Sequence, residues 1–235
     1  MAHTDTSRTA IVTGASRGFG LALTTDLAAA GWRVVIDGRD EDALRAAARR
    51  TGAVPVPGDV ADPSHRADLV RAAVDLSGSL DLLVNNASTL GAAPLPRVAD
   101  YPLGQLEDAF RVNVAAPVGL IQAALPLLRA AGGAVLNVTS DAAVEPYPGW
   151  GGYGSTKAAL EQISRVLAAE EPGVRVWWFD PGDMRTRMHQ EAFPGEDISD
   201  RPLPEAVSPT VLRLLQTRPP SGRVQAVRLA AESVG

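Results

Sequence analysis

Short, nearly unbroken apolar runs alternate with longer stretches of helical spacing along almost the whole chain, and that alternation limits the fold more than any other feature. The runs are TAIVT at 9–13, WRVVI at 32–36, AVPV at 53–56, LDLLV at 80–84, AVLNV at 134–138, VRVWWF at 174–179 and RVQAV at 223–227. Between them, Leu21–Ala30, Glu41–Arg50, Arg66–Leu76, Leu106–Arg129 and Lys157–Glu170 carry apolar residues three and four apart. Strands apolar on both sides, each followed by a helix, call for a parallel sheet covered on both faces. Seven strands in one series predict a single-domain, doubly wound α/β fold over residues 1–235 rather than two smaller domains.

Composition narrows the function classes. With no cysteine there is no disulfide framework, thiol nucleophile or zinc–thiolate site, and only His3, His65 and His189 remain as imidazoles. These fall in the N-terminal tail, at a polar helix start and in a loop; they are read as surface residues, and no metal is expected. Lys and Arg number 22 against 27 Asp and Glu, a net charge of −5, which suits no nucleic-acid partner. The opening MAHTDTSR lacks the profile of a signal peptide, and no apolar run approaches a membrane span. A soluble, cytoplasmic protein with a flexible tail over residues 1–8 is expected, the first ten or so being frayed. Two irregular stretches stand out, Thr89–Pro102 and Asp183–Val207. The second ends at Ser208-Pro209, a cap and first-turn pair, and its length suggests a substrate lid over 183–207.

Chemistry enters at Thr13-Gly14-Ala15-Ser16-Arg17-Gly18-Phe19-Gly20, between the first strand and the first helix. Glycines there allow a tight turn and let backbone N–H groups at a helix N-terminus approach a pyrophosphate. The alternative is an ordinary glycine-rich turn, since the spacing is GxxxGxG and not GxGxxG. Further along stand Asp59-Val60, Asn85-Asn86-Ala87, Asn113, Ser140, Tyr153, Lys157, and Pro181-Gly182 followed by Thr186. In that order and spacing the whole chain resembles the short-chain dehydrogenase/reductase family. Ser88 stands where the family usually has glycine, and Gly154-Ser155-Thr156 fills the gap between Tyr153 and Lys157. The resemblance implies a Rossmann-type sheet ordered 3-2-1-4-5-6-7 and a nicotinamide cofactor. It assigns cofactor contacts to Gly14, Ser16, Arg17, Gly18, Phe19, Gly20, Asp59, Val60, Asn86, Ala87, Tyr153, Lys157, Pro181, Gly182 and Thr186.

Tyr153 and Lys157 are four residues apart, so on a helix both leave one face. A phenol titrates near ~10, and bringing it to neutral pH takes roughly 4 kcal/mol in favour of phenolate. A nearby ammonium and an oxidised nicotinamide both act in that direction. By itself this pair could equally be a half-buried tyrosine and a solvated lysine. Within the resemblance, Tyr153 is the acid, Lys157 tunes it and holds the nicotinamide ribose, and Ser140 donates to the substrate oxygen. Asn113 would hold a relay water on its backbone carbonyl. Thr139, next to Ser140, should point to the other side of the sheet by pleat alternation.

Cofactor choice turns on Ile36-Asp37-Gly38-Arg39. In the family pattern the NAD-selecting acid falls at position 38, which is glycine; Asp37 comes one residue early and should face the other way. Arg39, with Arg17, is placed to meet a 2′-phosphate through a planar donor fork. Two solvated arginines are the plainer alternative, and an inward Asp37 would reverse the preference to NAD. The expected activity is NADPH-dependent reduction of a ketone or aldehyde. NAD-dependent alcohol oxidation and a non-catalytic NADP-binding sensor or scaffold are the rivals. Leu90, Ala142, Tyr147, Trp150, Met184 and Met188 are candidate walls for a hydrophobic small-molecule carbonyl substrate. The resemblance also implies a homodimer or homotetramer, built by pairing the helices at 106–129 and 152–170.

Overall fold

The computed structural model describes residues 8–231, so the tail expected over 1–8, up to Ser7, and His3 with it lie outside the described residues. In chain order the elements are β1 (Thr9–Val12), α1 (Gly18–Ala29), β2 (Arg33–Gly38), α2 (Glu41–Thr51), β3 (Val54–Pro57), α3 (Pro63–Ser77) and β4 (Leu82–Asn85). There follow α4 (Leu103–Phe110), a π turn at Arg111–Ala115, α5 (Ala116–Ala131), β5 (Ala134–Val138), α6 (Gly151–Glu170) and β6 (Arg175–Asp180). The chain closes with α7 (Arg187–Ala192), α8 (Pro204–Val207), α9 (Pro209–Thr217), β7 (Gly222–Gln225) and α10 (Ala226–Ala231).

All seven strands pair in parallel, in the order β3-β2-β1-β4-β5-β6-β7. Strand alternation splits the core in two. Val12, Ile36, Val84, Leu136, Trp177 and Phe179 face one side with Leu23 and Leu27 of α1. Ile11, Val35, Leu83, Val135 and Val176 face the other with Leu69 of α3 and Leu120 and Leu128 of α5. Helix ends follow their capping residues. Asp40 accepts from the Ala43 N–H at the start of α2, and Asp62 does the same for Ser64 at α3 ahead of Pro63. The active edge is the carboxyl end of the strands, where the order turns back between β1 and β4.

Several expectations are corrected. Thr9 and Ala10 are fully buried in β1, and Arg8 lies over the Trp32 ring at 4.3 Å, so order begins before residue 10. Ala226 and Val227 belong to α10 and not to the last strand, because β7 is an edge strand that pairs only with β6, through Gly222–Gln225. Ser208 gives no side-chain cap; its hydroxyl donates to Asp26 Oδ2 of α1 at 2.6 Å. The stretch 183–207 holds α7 and α8, and Arg185 N–H donates to the Pro202 carbonyl at 2.8 Å, tying its two ends together. Finally, α4, the π turn and α5 form one rod from Leu103 to Ala131, long and apolar enough to cross a membrane by length and composition. Counting unbroken apolar runs missed it because Glu107, Asp108, Arg111 and Asn113 interrupt its first half. One face of it, Leu120, Ile121, Ala124 and Leu128, is spent on the second core.

Candidate active site

The glycine loop is held from three sides. Gly14 sits at φ +65°, and a Cβ there would come within 2.8 Å of the Ala87 Cα, so both conformation and space exclude a side chain. Its N–H donates to Asp37 Oδ1 at 2.5 Å. Just after β4, the Asn86 amide donates to the carbonyls of Thr13 (2.8 Å) and Gly14 (3.2 Å), while the backbone N–H groups of Asn86 and Ala87 both donate to Thr13 Oγ1. Asn86 and Ala87 are thus buttresses of the loop. At the start of α1, Arg17 is extended and supplies no side-chain cap. The first-turn N–H groups of Gly18, Phe19 and Gly20 therefore have no intrahelical acceptor and are aimed as anion donors. Phe19 is buried and stacks on Phe179 at 5.9 Å, and the Thr186 methyl is the atom facing Gly18 across the cleft. Thr186 also caps α7, accepting from the His189 N–H, and Gly182 N–H after Pro181 donates to Asp180 Oδ1. A polyphosphate-bearing dinucleotide fits this uncapped cradle.

Around the adenosine end, strand alternation decides which side chain reaches the cleft. Asp37 is 2% exposed and turns beneath the loop, where its second oxygen meets His65 Nε2 at 3.2 Å. Its carboxylate is consumed there. Gly38 faces Ser16, whose Oγ would lie 3.3 Å from a Cβ at position 38. Arg39 is exposed and has no side-chain partner among the described residues, whereas Arg17 pairs with Asp40 at 2.7 Å in an exposed contact. Asp59 is exposed and accepts from the Ala61 N–H, and Val60 is buried beside it. His65 corrects the reading of all histidines as surface residues: its ring packs against Gly58 and completes the support under the loop. His189 is buried too, on α7 and not in a loop.

Tyr153 and Lys157 leave the same face of α6, and both are buried. The Lys157 ammonium donates to the Val138 carbonyl at 2.9 Å and stands 5.4 Å from the centre of the Tyr153 ring. Burial pushes the lysine down to about 8. Burial also raises the Tyr153 phenol above the ordinary range; a hydrogen bond with Ser88 acts against that, and the charges of Asp180 and Asp141 add to it. Among the protein's own groups, burial is what dominates at Tyr153. Desolvation is the largest cause of that rise, and the ammonium stands over the Tyr153 ring. Ser140 ends β5 with its hydroxyl donating to Asp141 Oδ1 (2.9 Å) and accepting the Ala142 N–H (3.2 Å). Thr139 points away, to Glu161, as the pleat requires. Asn113 lies within the π turn, which widens the helix and takes carbonyls out of the ordinary ladder.

No sequence signal pointed to the network behind Ser140. Arg223 of β7 donates to Glu161 Oε1 (3.0 Å), to Asp180 Oδ2 (3.0 Å) and to the Ser140 carbonyl (3.2 Å). Glu161 is almost fully buried, one turn after Lys157 on α6. One guanidinium thus ties the Ser140 strand end, α6 and the end of β6 together.

Beside Tyr153, Leu90, Ala142 and Ala192 form an apolar wall with Leu95, Trp150, Met188 and Phe193. Of the candidate wall residues, Met184 packs on the main core instead, and Tyr147 is half-exposed with its hydroxyl donating to Asp141 Oδ2 at 3.1 Å. Ala192, Phe193 and Leu95 carried no sequence signal of their own. Tyr147 and Trp150 also line an open pocket of about 250 Å³ running along Gly154, Ser155 and Ala158. That pocket lies on the side of α6 away from Lys157. Among the described residues no group of metal-ligating side chains gathers.

A doubly wound sheet with a glycine cradle at its switch point and a buried Tyr–Lys pair defines a nicotinamide-dependent oxidoreductase. The chain belongs to the short-chain dehydrogenase family, which it matches over residues 8–197. It is 37% identical over 193 residues to the rhamnolipids biosynthesis 3-oxoacyl-[acyl-carrier-protein] reductase of Pseudomonas aeruginosa, covering 77% of this chain and 74% of that one. Benzil reductase ((S)-benzoin forming) of Saccharomyces cerevisiae is 33% identical over 215 residues, covering 86% and 79%. The structure of a short chain dehydrogenase from Shigella flexneri 2a complexed with NADP superposes with a TM-score of 0.86 at 29% identity, over 93% of this chain and 96% of that one. The protein is an NAD(P)-dependent oxidoreductase acting on a small molecule.

Proposed function

We propose that the protein is an NADP(H)-dependent carbonyl reductase whose substrate is a hydrophobic ketone or aldehyde. The observation that carries this reading is Asp37, which is spent under the glycine loop, so that Gly38 and Arg39 would be the residues of this turn left for the adenosine ribose. No carboxylate at position 38 repels a 2′-phosphate, and Arg39 is available to grip one. Arg17 can join by exchanging its exposed contact with Asp40. The first turn of α1 would hold the pyrophosphate, and Thr186 would close over it. The bound dinucleotide supplies the hydride.

This chain's own residues do the rest. Tyr153, kept protonated at neutral pH by burial, gives its proton to the substrate oxygen. Ser140 turns its proton from Asp141 to that oxygen and stabilises the charge there. Lys157, whose ammonium donates to the Val138 carbonyl, would hold the ribose hydroxyls of the bound dinucleotide. Trp150, Phe193, Leu90 and Met188 exclude water and offer flat apolar surface, which suits an aryl or otherwise bulky carbonyl compound. The benzil reductase relative is named for a substrate of that kind.

Initial rates with NADPH and NADH over a panel of aryl ketones, diketones and acyl thioesters test the reading. A charge-assisted contact from Arg39 contributes on the order of 1.5–3 kcal/mol, a preference for NADPH of tens-fold or more in the specificity constant. Added salt should erode it. Gly38→Asp with Arg39→Ile should move the preference towards NADH. Equal or NADH-biased rates in the wild type would overturn the assignment.

A further inference from the structure

The irregular stretch 89–102 holds a buried tyrosine outside the Tyr153, Ser140 and Lys157 group. Tyr101 stands just ahead of α4, and its ring is packed inside the protein. Its hydroxyl turns back onto the start of the same loop, accepting the Ala92 N–H at 3.1 Å and donating to the Leu90 carbonyl at 3.3 Å. Leu90 and Ala92 are themselves buried, where a backbone polar group is unfavourable to leave unpaired. Two glycines make room for the phenol. Gly91, at φ +81°, lies where a Cβ would run into the Tyr101 oxygen, and a Cβ at Gly152 would strike the ring itself. Gly152 immediately precedes Tyr153 on α6. One side chain therefore bridges the Leu90 turn and the turn of α6 that presents Tyr153.

A wall of the substrate pocket hangs from this clamp. Leu90 clusters with Tyr153, Ala142 and Ala192, and Trp150, Met188 and Phe193 pack around them. Trp150 opens α6, and Met188 and Ala192 ride on α7, but Leu90 has no helix or strand to hold it. Thr89, one residue earlier, is fixed separately: Asn113 Oδ1 accepts its N–H at 2.9 Å and Asn113 Nδ2 donates to its carbonyl at 2.8 Å. Past Thr89, the place of Leu90 is set by the Tyr101 hydroxyl.

We propose that Tyr101 is a positioning residue for substrate selection, whose hydroxyl holds Leu90 in the wall beside Tyr153, so that a flat, bulky carbonyl compound is gripped there and a small one gains little. The proposal rests on the reading of this pocket as the site of a hydrophobic carbonyl substrate. Phenylalanine at 101 keeps the ring between Gly91 and Gly152 but leaves the Leu90 carbonyl and the Ala92 N–H bare. The turn then opens toward water to hydrate them, and Leu90 leaves the wall with it.

Benzil and butane-2,3-dione share a reacting group and differ in bulk, so together they read the wall. Their kcat/KM values are measured with NADPH on wild type, Tyr101→Phe, Leu90→Ala and the double variant. Tyr101→Phe should lower the ratio of benzil to butane-2,3-dione by about tenfold, the size of a lost apolar contact in a pocket, with cofactor KM unchanged. In the Leu90→Ala background the same substitution should leave the ratio nearly where it was, because the route through Leu90 is already gone. Amide exchange gives a readout without turnover: the Ala92 N–H should exchange about tenfold faster in Tyr101→Phe, while the Thr89 N–H keeps its protection. An unchanged ratio, an equal loss for both diketones, the same fall again in the Leu90→Ala background, or unaltered Ala92 exchange would each overturn the proposal. A wild type that reduces neither diketone sinks the substrate reading and this role with it, whereas the preceding outcomes sink the role and leave the reading standing.

Discussion

Replacing Lys157 with methionine should make the cofactor-free protein more stable at neutral pH while abolishing turnover. The lysine is 2% exposed, and burial brings its titration from 10.5 down to about 8. That fall amounts to about 3 kcal/mol spent on keeping the ammonium charged in the fold, at ~1.4 kcal/mol per pH unit. Methionine keeps the alkyl packing and removes the charge, but it also removes the donor to the Val138 carbonyl, which costs about 1 kcal/mol. The net gain is therefore about 2 kcal/mol at pH 7. The sign with pH is fixed by proton counting. Between pH 8 and 10.5 the unfolded wild type still holds the Lys157 proton that the folded protein has shed, so wild-type stability rises across that window. The advantage of the variant should be full below pH 8 and gone by pH 10.5. Urea unfolding of both proteins at neutral pH and near the upper end of the window measures it. A variant no more stable than wild type at pH 7, or one whose advantage does not shrink as pH rises, would refute the reasoning.

Tyr153→Phe should retain cofactor binding, read by quenching of protein fluorescence, and lose turnover by several orders of magnitude, because only the transferable proton is removed. Asp37→Ala leaves the Gly14 N–H without its acceptor. The expected cost is about 1–3 kcal/mol in urea unfolding, with a rise in cofactor KM larger than any fall in kcat. Gly154→Ala drives a methyl to 2.4 Å from the Ala142 carbonyl oxygen. Overpacking of that kind costs about 1–3 kcal/mol, and it should also lower kcat by displacing Tyr153 on the same turn; a melting curve and one rate measurement check both.

The sheet was legible because a buried parallel strand has almost no other way to look: AVLNV and VRVWWF are apolar on both faces, and β5 and β6 form there. The same rule failed at RVQAV, where a four-residue edge strand passes directly into α10 and local composition carries no boundary. The π turn at Arg111–Ala115 was invisible for a different reason. One added residue in a helix hardly disturbs a pattern of apolar residues three and four apart. Alternation did read Asp37 and Gly38 correctly as facing opposite ways, but it could not say what Asp37 would meet, since His65 lies 28 residues away on another element. Arg223 illustrates the same limit: its partners Glu161 and Asp180 are 62 and 43 residues distant, with no period linking them.

Burial acts on the Tyr153–Lys157 pair in a direction that their spacing alone does not show. Tyr153 and Lys157, four residues apart, read naturally as an acid tuned by a neighbouring cation, and charge attraction would pull the phenol down. Burial moves them the other way, the phenol up and the lysine down to about 8. Both movements follow from one cause, because a dry cleft disfavours phenolate and ammonium alike. For reduction this is the useful direction: the acid keeps its proton until a substrate oxygen gains charge within reach. The cost is a phenolate with no solvent to stabilise it after transfer.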